Sequence, residues 1–600
     1  MKRIFITILF FVASFVIAQI KYVPTDYVKI QDAIDDSKDG DVIIIEEGIY
    51  YQQINFKGKA ITVASEFFID DDTSHISKTI IDGSQIISQD SASLVYINSG
   101  EDSTSVLTGL TLQNGKGTYG KWTYENVYGG AIEIYQSGAT ISYNIIKENK
   151  CDLDVELADW GGAWGGGIDC WELPKHKSII IHNNIFKNNM IKSHIAQAMG
   201  GGILLMDIYG KARISSNKII NNQVESIKSG YGGGICVAGA NNKAQIVIDN
   251  NYIASNSTYS LLGSTKGGGI ACYFSDPIIR NNIIVYNQTK YPTTIASFDA
   301  FGGGIAVFWY IDYWQSDFPV CEDPYNLVSV IENNTIAYNN DKKAGGGVAF
   351  RSVGARLKNN IIGCNFANEQ NNKQIKIEYK EVSEDKARTV YVDYCNVEGD
   401  CEELSKFHKA VGNINIFPEF KDEENWYLKK ELSPCIDNGD PNEKYKDLAN
   451  PQYIDQAYFP ALGSLRNDIG AFGGPYSKWA EMGKPTNIKN KSTLLMDNFY
   501  LSQNFPNPFN PSTIIKYQIP HPSAGGVKSE KANVKLVVYD ILGRVVTTLV
   551  NEKQKPGSYE IDFDGSELTS GIYLYRLRAG DPASSTGQVF VETKKMILIK

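Results

Sequence analysis

The sequence predicts an all-β protein, a long solenoid of stacked β-turns followed by a small β-sandwich. Three observations carry that expectation. A glycine cluster ending in Ile or Val recurs seven times, aligned on Ile132, Ile168, Ile203, Ile235, Ile270, Ile305 and Val348. A second motif, IxxNx[IF]xxN, interleaves with it, as in "ISYNIIKEN" from Ile141, "IDNNYIASN" from Ile248 and "LKNNIIGCN" from Leu357. The alternation holds one order throughout, at intervals of about 35 residues, the signature of a repeat architecture. Third, residues 501–600 alternate apolar and polar, with turn residues every 8–12 positions or so, which reads as a sandwich.

The chain opens with "MKRIFITILFFVASFVIAQ". A basic start, an apolar run and small residues at Val16 and Ala18 describe a secretory signal over residues 1–18, too short for a comfortable membrane span. The segment "IQDAIDDSKDGDVIIIEEGIYYQQINFKGKAITVAS" suits a cap, because a stack of open strands must cover its end. Ile30 to Ile34 would form a short helix there, within a cap of about residues 19–65. The repeats follow. A unit of short strands cannot bury its apolar face alone, and stacking in parallel pairs each strand with its equivalent one turn along. The residue two past the aligned Ile should point inward with it. That column is Ile134, Cys170, Leu205, Val237, Cys272, Val307 and Phe350, apolar in every row. The last Asn of the second motif forms another column, Asn149, Asn189, Asn222, Asn256, Asn287, Asn339 and Asn365. Asn suits left-handed corners, and stacked amides hydrogen-bond along a ladder.

A closing segment of about residues 390–475 contains "VDYCNVEG", "LSPCIDNGDP" and "GSLRNDIGAFGGP". Asp437, Asp440 and Asp468 are expected to tie its loops, and such oxygen-rich loops suit Ca²⁺. No other cofactor is indicated. A linker over 476–500 leads to the sandwich at 501–600. The nine cysteines lack metal-type CxxC pairs, and in an exported chain Cys395 with Cys401 or Cys435 is the first pair to test for a bridge.

The interleaved motifs resemble the right-handed parallel β-helix family, the fold of pectate lyases and many surface proteins, over roughly Ile30 to Pro475, within a β-helix domain expected over residues 19–475. They are also similar to those of polymorphic outer-membrane proteins. The C-terminal hundred residues resemble the sorting domain of the type IX secretion system. That likeness rests on "NPFNP" at Asn507–Pro511, "DILGR" at Asp540–Arg544, "SGIY" at Ser570–Tyr573 and the basic terminus "KKMILIK". It implies contact with the secretion machinery through 501–600, and a product that is secreted or attached to the outer cell surface.

Composition narrows the partners. The formal net charge of −10 argues against nucleic acid and anionic membranes, and no stretch after the signal is apolar enough for a transmembrane helix. On the glycine strand, the outward positions one and three past the aligned Ile carry two carboxylates, Glu133 and Asp169, beside Tyr135 and Trp171. Tyr273 and Phe308 continue the aromatic column, and the neighbouring insert adds Trp160 and Trp164. Aromatic faces stack on sugar rings, and paired carboxylates bind hydroxyls or act as acid and base. The expected partner is therefore a polysaccharide or cell-surface glycan bound along this face, with Glu133 and Asp169 as the catalytic pair if there is turnover. Three readings stay open: a glycan-binding surface protein, a polysaccharide lyase or glycoside hydrolase, and an adhesive structural protein without a ligand groove. The polygalacturonase and pectate lyase signatures have no ordered match. The six His fall in no metal spacing, and "GKGTYG" at Gly115–Gly120 is followed by no helix pattern.

Overall fold

The computed structural model describes residues 18–88, 91–121, 125–153, 161–194, 197–240, 244–292, 300–309, 328–341, 343–367, 374–378, 389–399, 410–422, 425–479, 500–501, 504, 509–519, 532–541, 543–555, 557–580 and 589–599. The leader expected over 1–18 lies outside them except for its last residue, as do Trp160, Cys401 and most of the 476–500 linker. The chain divides into two compact units, residues 1–483 and 484–600.

The first unit is a parallel β-helix. The turns that begin at Ile132, Ile168, Ile203, Ile235 and Ile270 use five strands each, and in the first of them these are Ile132–Tyr135, Ala139–Ser142, Ile145–Lys147, Lys150–Leu153 and Gly161–Trp164. Every one pairs in parallel with its equivalent one turn on, for instance Ile132 with Ile168 and Ile145 with Ile185. Stacking produces sheets of 10, 12 and 11 strands that enclose the main core, in which the inward column from Ile134 to Phe350 is buried. The inserts between motifs are strands as well. They build two further seven-stranded sheets that project sideways as a wing. The wing has its own small core of Val127, Cys151, Leu153, Ala163, Ile191, Ala198 and Val224.

Both motifs have a steric explanation. In the cluster before Ile235, Gly232 turns the chain at φ +64°, a region L side chains avoid. A Cβ on Gly233 would lie 2.4 Å from the carbonyl oxygen of Gly268 in the next turn, and one on Gly234 2.7 Å from that of Gly269. The first glycine is there for its dihedral angle and the other two for closeness of stacking. The asparagines form two buried ladders. Asn222 accepts from the backbone N–H and Nδ2 of Asn189 through Oδ1, and its own Nδ2 donates to Phe186 O and to Asn256 Oδ1. The left-handed corner belongs to the residue before each ladder Asn, such as Asn188 at φ 59° and Asn221 at φ 55°, and not to the ladder Asn itself. That corrects the dual role expected of Asn189 and Asn222: burial and amide pairing occupy them fully, so the neighbour makes the turn.

The helix Ile30–Asp36 caps the amino-terminal end with Ile30, Ala33 and Ile34 buried. Gln52 Oε1 accepts its Ile30 N–H at 3.0 Å, and Asn55 N–H donates to Gln31 Oε1 at 2.8 Å. At the other end the Asn ladders stop on Cys395 Sγ and Gln374 Oε1. Cys395 and Cys435 are free, buried thiols, so the bridge expected between them is absent. Cys435 Sγ instead accepts from Asn396 Nδ2 at 3.1 Å. The closing segment then runs back along the outside of the coil. Asn359 Oδ1 accepts Asp440 N–H, and Asn333 Nδ2 donates to Asp468 O. Asn281 Nδ2 donates to Ala471 O and Gly473 O, and Asn250 Nδ2 to Tyr476 O. Asp468 accepts the N–H of Asp437 and of Leu462, and Asp437 accepts that of Ser464, so these carboxylates hold loop backbone.

The second unit is a sandwich of a three-stranded antiparallel sheet (Tyr500–Leu501, Ser512–Ile519, Gly557–Asp564) and a four-stranded one (Val545–Gln554, Ala532–Asp540, Gly571–Gly580, Val589–Leu598). Ile515, Tyr517, Leu536, Val538, Tyr575, Leu577 and Met596 fill the space between them.

Candidate functional site

Strand alternation sends Glu133, Asp169 and their column to the side of the glycine strand away from the main core. The wing folds over that side. Its inner column, one residue per turn, is Tyr128, Trp164, Met199, Tyr231, Lys266 and Phe301. These meet the glycine strands face to face, and in the middle and later turns Met199, Tyr231 and Phe301 pack with Leu204, Met206, Cys236, Ala238, Ala271, Ala306 and Phe308 into a closed apolar layer. The open outward face expected from the sequence is therefore corrected: Cys236 is fully buried and Phe308 is 1% exposed, because strands from the inserts lie on top of them.

Partial exposure is kept at the first two turns. Glu133 and Asp169 are ladder partners on adjacent strands, and the same register places Tyr135 beside Trp171. Glu133, Tyr135, Trp164 and Trp171 are partly buried, whereas Asp169 is 2% and Asp207 6% exposed. Tyr128 and Trp171 stack with ring centroids 5.6 Å apart, and Tyr135 tilts against Trp171 at 5.7 Å. Trp171 Nε1 donates to Asp207 Oδ2 and Trp164 Nε1 to Asn126 Oδ1, both at 3.0 Å, which fixes the two indoles. Thr118 hydrogen-bonds Glu133 and joins Ser93 Oγ and the Tyr96 hydroxyl, each at 2.9 Å.

Glu133 Oε2 and Asp169 Oδ1 are buried without a hydrogen-bond partner, and so is Asp207 Oδ1 beyond the strand end, next to Trp171. Burial raises the Glu133 carboxyl above its ordinary range. Burial first, and the charge of Glu133 second, pushes Asp169 well up. Asp207 is raised to about 6 by burial, against the opposing bond from Trp171. The Tyr128 phenol is pushed up by burial and then by the charges of Asp169 and Glu133, which places it within reach of both. Adjacent like charges in such a site do not both ionise freely, and here it is Asp169 that the neighbouring charge raises further. Chemically the corner can attract a cation, bind hydroxyls, or hold a proton near neutral pH. Among the described residues, no three His, Cys, Asp or Glu side chains are grouped to hold a metal.

The structure brings together five of the expected residues, Glu133, Asp169, Tyr135, Trp164 and Trp171. Tyr273 lies three strands beyond Trp171, about 14 Å along the stack. Tyr273 stacks on Phe308 at 5.1 Å, and Lys266 Nζ sits 4.6 Å from the Phe308 ring centre, so Phe308 offers no free face. Trp160 lies outside the described residues. Tyr128, Asn126, Thr118 and Asp207 escaped the sequence reading. Tyr128 had a signal: the residue before the glycine cluster is bulky in Tyr128, Trp164, Met199, Tyr231, Lys266 and Phe301. Asp207 follows its strand directly, one position beyond the columns used.

The secretion system C-terminal sorting domain family matches residues 503–592. No curated protein matches the chain. Among solved structures, the PL6 family alginate lyase AlyGC is similar at 13% identity with a TM-score of 0.28, and an arginine-to-alanine mutant of it at 14% with a TM-score of 0.32. Each match covers 69% of this chain and 55% of the lyase, so the chain spans little more than half the length of those proteins. The sorting domain makes this chain a type IX secretion substrate, secreted or held at the cell surface. Among the described residues no helix is long and apolar enough to cross a membrane.

Proposed function

Because the chain is carried to the cell exterior by its sorting domain, we propose that its β-helix unit binds carbohydrate in the corner between the glycine strands and the wing. One observation carries this reading: partly exposed Tyr135, Trp164 and Trp171 stand beside carboxylate oxygens that no protein group satisfies. Aromatic rings give a flat apolar platform for a sugar, and buried polar atoms without partners are the groups a ligand would complete. Glu133 is the carboxylate that reaches the ligand. Asp169, at 2% exposure, lies behind it as the neighbouring buried carboxyl.

The test is a glycan array probed with the full chain, followed by titration of the best binder against Trp171→Ala and Glu133→Gln. Each substitution is expected to weaken binding about tenfold or more, equivalent to about 1.4 kcal/mol. Unchanged affinity in both would remove the site from this corner.

A catalytic reading draws on one further observation. Ladder partners on neighbouring strands sit about 4.8 Å apart, close to the carboxyl separation of retaining glycosidases. New reducing ends or unsaturated products from the bound glycan, lost in Glu133→Gln, would establish turnover. Binding with neither product would leave a lectin-like surface protein.

A further inference from the structure

We propose that the ligand of this corner carries a positively charged amine, so that the glycan it selects bears free amino sugars rather than uronic acids. The inference rests on the carbohydrate-binding reading and names the substrate class within it.

The argument begins with how this protein treats its other buried acids. Asp249, fully buried, is paired by Arg213 at 2.7 Å and approached by Arg280 at 3.6 Å. Asp82 accepts from Ser84 N–H, Gln113 Nε2 and Asn114 Nδ2. Asp341 accepts the N–H groups of Lys343 and Ala344. Glu101 accepts those of Gly58 and Ser99. Each is compensated, as a buried charge must be. Glu133 and Asp169 break that rule side by side, and Asp207 breaks it beyond the strand end, next to Trp171. Each keeps a buried oxygen without a partner, and among the described residues none forms an ion pair with Lys, Arg or His. Asp169 is the decisive member, since it is 98% removed from solvent and strand alternation points it to the same side as Glu133.

The surroundings favour a cation over a neutral hydroxyl. The rings of Tyr128, Trp171 and Tyr135 group together beside this carboxylate pair, and an aromatic face attracts positive charge through its quadrupole. A ligand carboxylate here would meet two acids, Glu133 and Asp169. Among the described residues, the protein's own cations on this face lie at its far end, where Lys266 sits over Tyr231 and Phe308, and Arg351 is paired with Glu378. Met199, Leu204, Met206, Cys236 and Ala238 separate the two ends with a buried apolar layer. The cleft is thus acidic where it is accessible. An ammonium on a sugar ring fits both features at once, its ring on the aromatic platform and its charge beside Glu133.

The experiment is calorimetric titration of the full chain with four probes of equal length: a β-1,4-glucosamine hexamer, its N-acetylated equivalent, a galacturonic acid hexamer and hexalysine. The glucosamine hexamer should bind at least about tenfold more tightly than the other three. Glu133→Gln should remove that preference, whereas Asp455→Asn, an equal charge change at an exposed distant site, should leave it intact. Asp169→Asn provides a second, near-isosteric variant with the same expected loss. Equal or tighter binding of the acetylated or uronic hexamer overturns the amine inference while glycan binding survives. Preference for hexalysine overturns it in favour of a protein partner. Binding of no hexamer, with no hit on the wider glycan array, overturns the carbohydrate reading as well. A glucosamine preference that Asp455→Asn abolishes as fully as Glu133→Gln overturns it as a property of net charge.

Discussion

Asp169 shows what a site costs at the scale of one residue. Its carboxyl is buried, faces Glu133 and has an oxygen without a donor, so the folded state holds its proton far more tightly than the unfolded chain does. A carboxyl raised on folding contributes stability that is complete below its unfolded pKa of about 4 and is lost as pH rises through the folded value. Asp169→Asn should therefore leave stability unchanged at about pH 4 and raise it by about 1–3 kcal/mol at pH 8, the scale of a buried unsatisfied group. Thermal melts across that range read the difference, and an equal shift at both ends would show that the side chain is satisfied. Gly233 is the steric counterpart. A methyl there meets a carbonyl oxygen of the next turn at 2.4 Å, so Gly233→Ala should destabilise by about 1–3 kcal/mol in urea titration. Why Gly232 to Gly234 are three was open from the sequence, because dihedral need and close stacking select the same residue type. The coordinates separate them.

At the scale of elements, the Asn ladders and the wing divide the work. The ladders hold register between turns, since each amide both accepts from the previous turn and donates to the next. Asn222→Ala would leave the N–H and one Nδ2 hydrogen of Asn189 without their acceptor and take the amide donor from Phe186 O in a dry interior, while the backbone N–H of residue 222 still reaches Asn256 Oδ1. The expected loss is about 2–5 kcal/mol, seen as a lower urea midpoint. Asn222→Asp keeps the acceptor, removes the donor and buries a charge, so it should be at least as damaging. An aspartate variant as stable as the parent would show that water reaches the ladder. Periodicity made these columns readable, because the same residue type returns at the same place. The wing lacked that help. Its strands vary in sequence from turn to turn, as Glu125–Tyr128, Gly161–Trp164 and Gln197–Met199 illustrate, and pairing emerges only from their stacked backbones.

At the scale of the whole molecule, two units have separate cores and separate tasks. A chain ending at residue 483 retains the first compact unit and lacks the sorting domain. It should fold, with parallel β circular dichroism and protease resistance like those of the full chain, and fail to reach the medium or cell surface in a host with the type IX system. Export of the truncated chain would show that the address lies elsewhere. What the sequence determined alone was the solenoid, its inward columns, its caps and the sorting domain, because spacing and alternation decide on which side of its own strand a residue lies. What only the tertiary structure decided was whether the other side is open. Glu133 and Cys236 occupy equivalent outward positions, yet one is partly exposed beside aromatic rings and the other is sealed under the wing. The difference comes from which side chain the wing lays across each turn, Tyr128 and Trp164 at one end, Met199 and Tyr231 in the middle. That contact joins residues whose strands pair in different sheets, so no pattern within one strand records it.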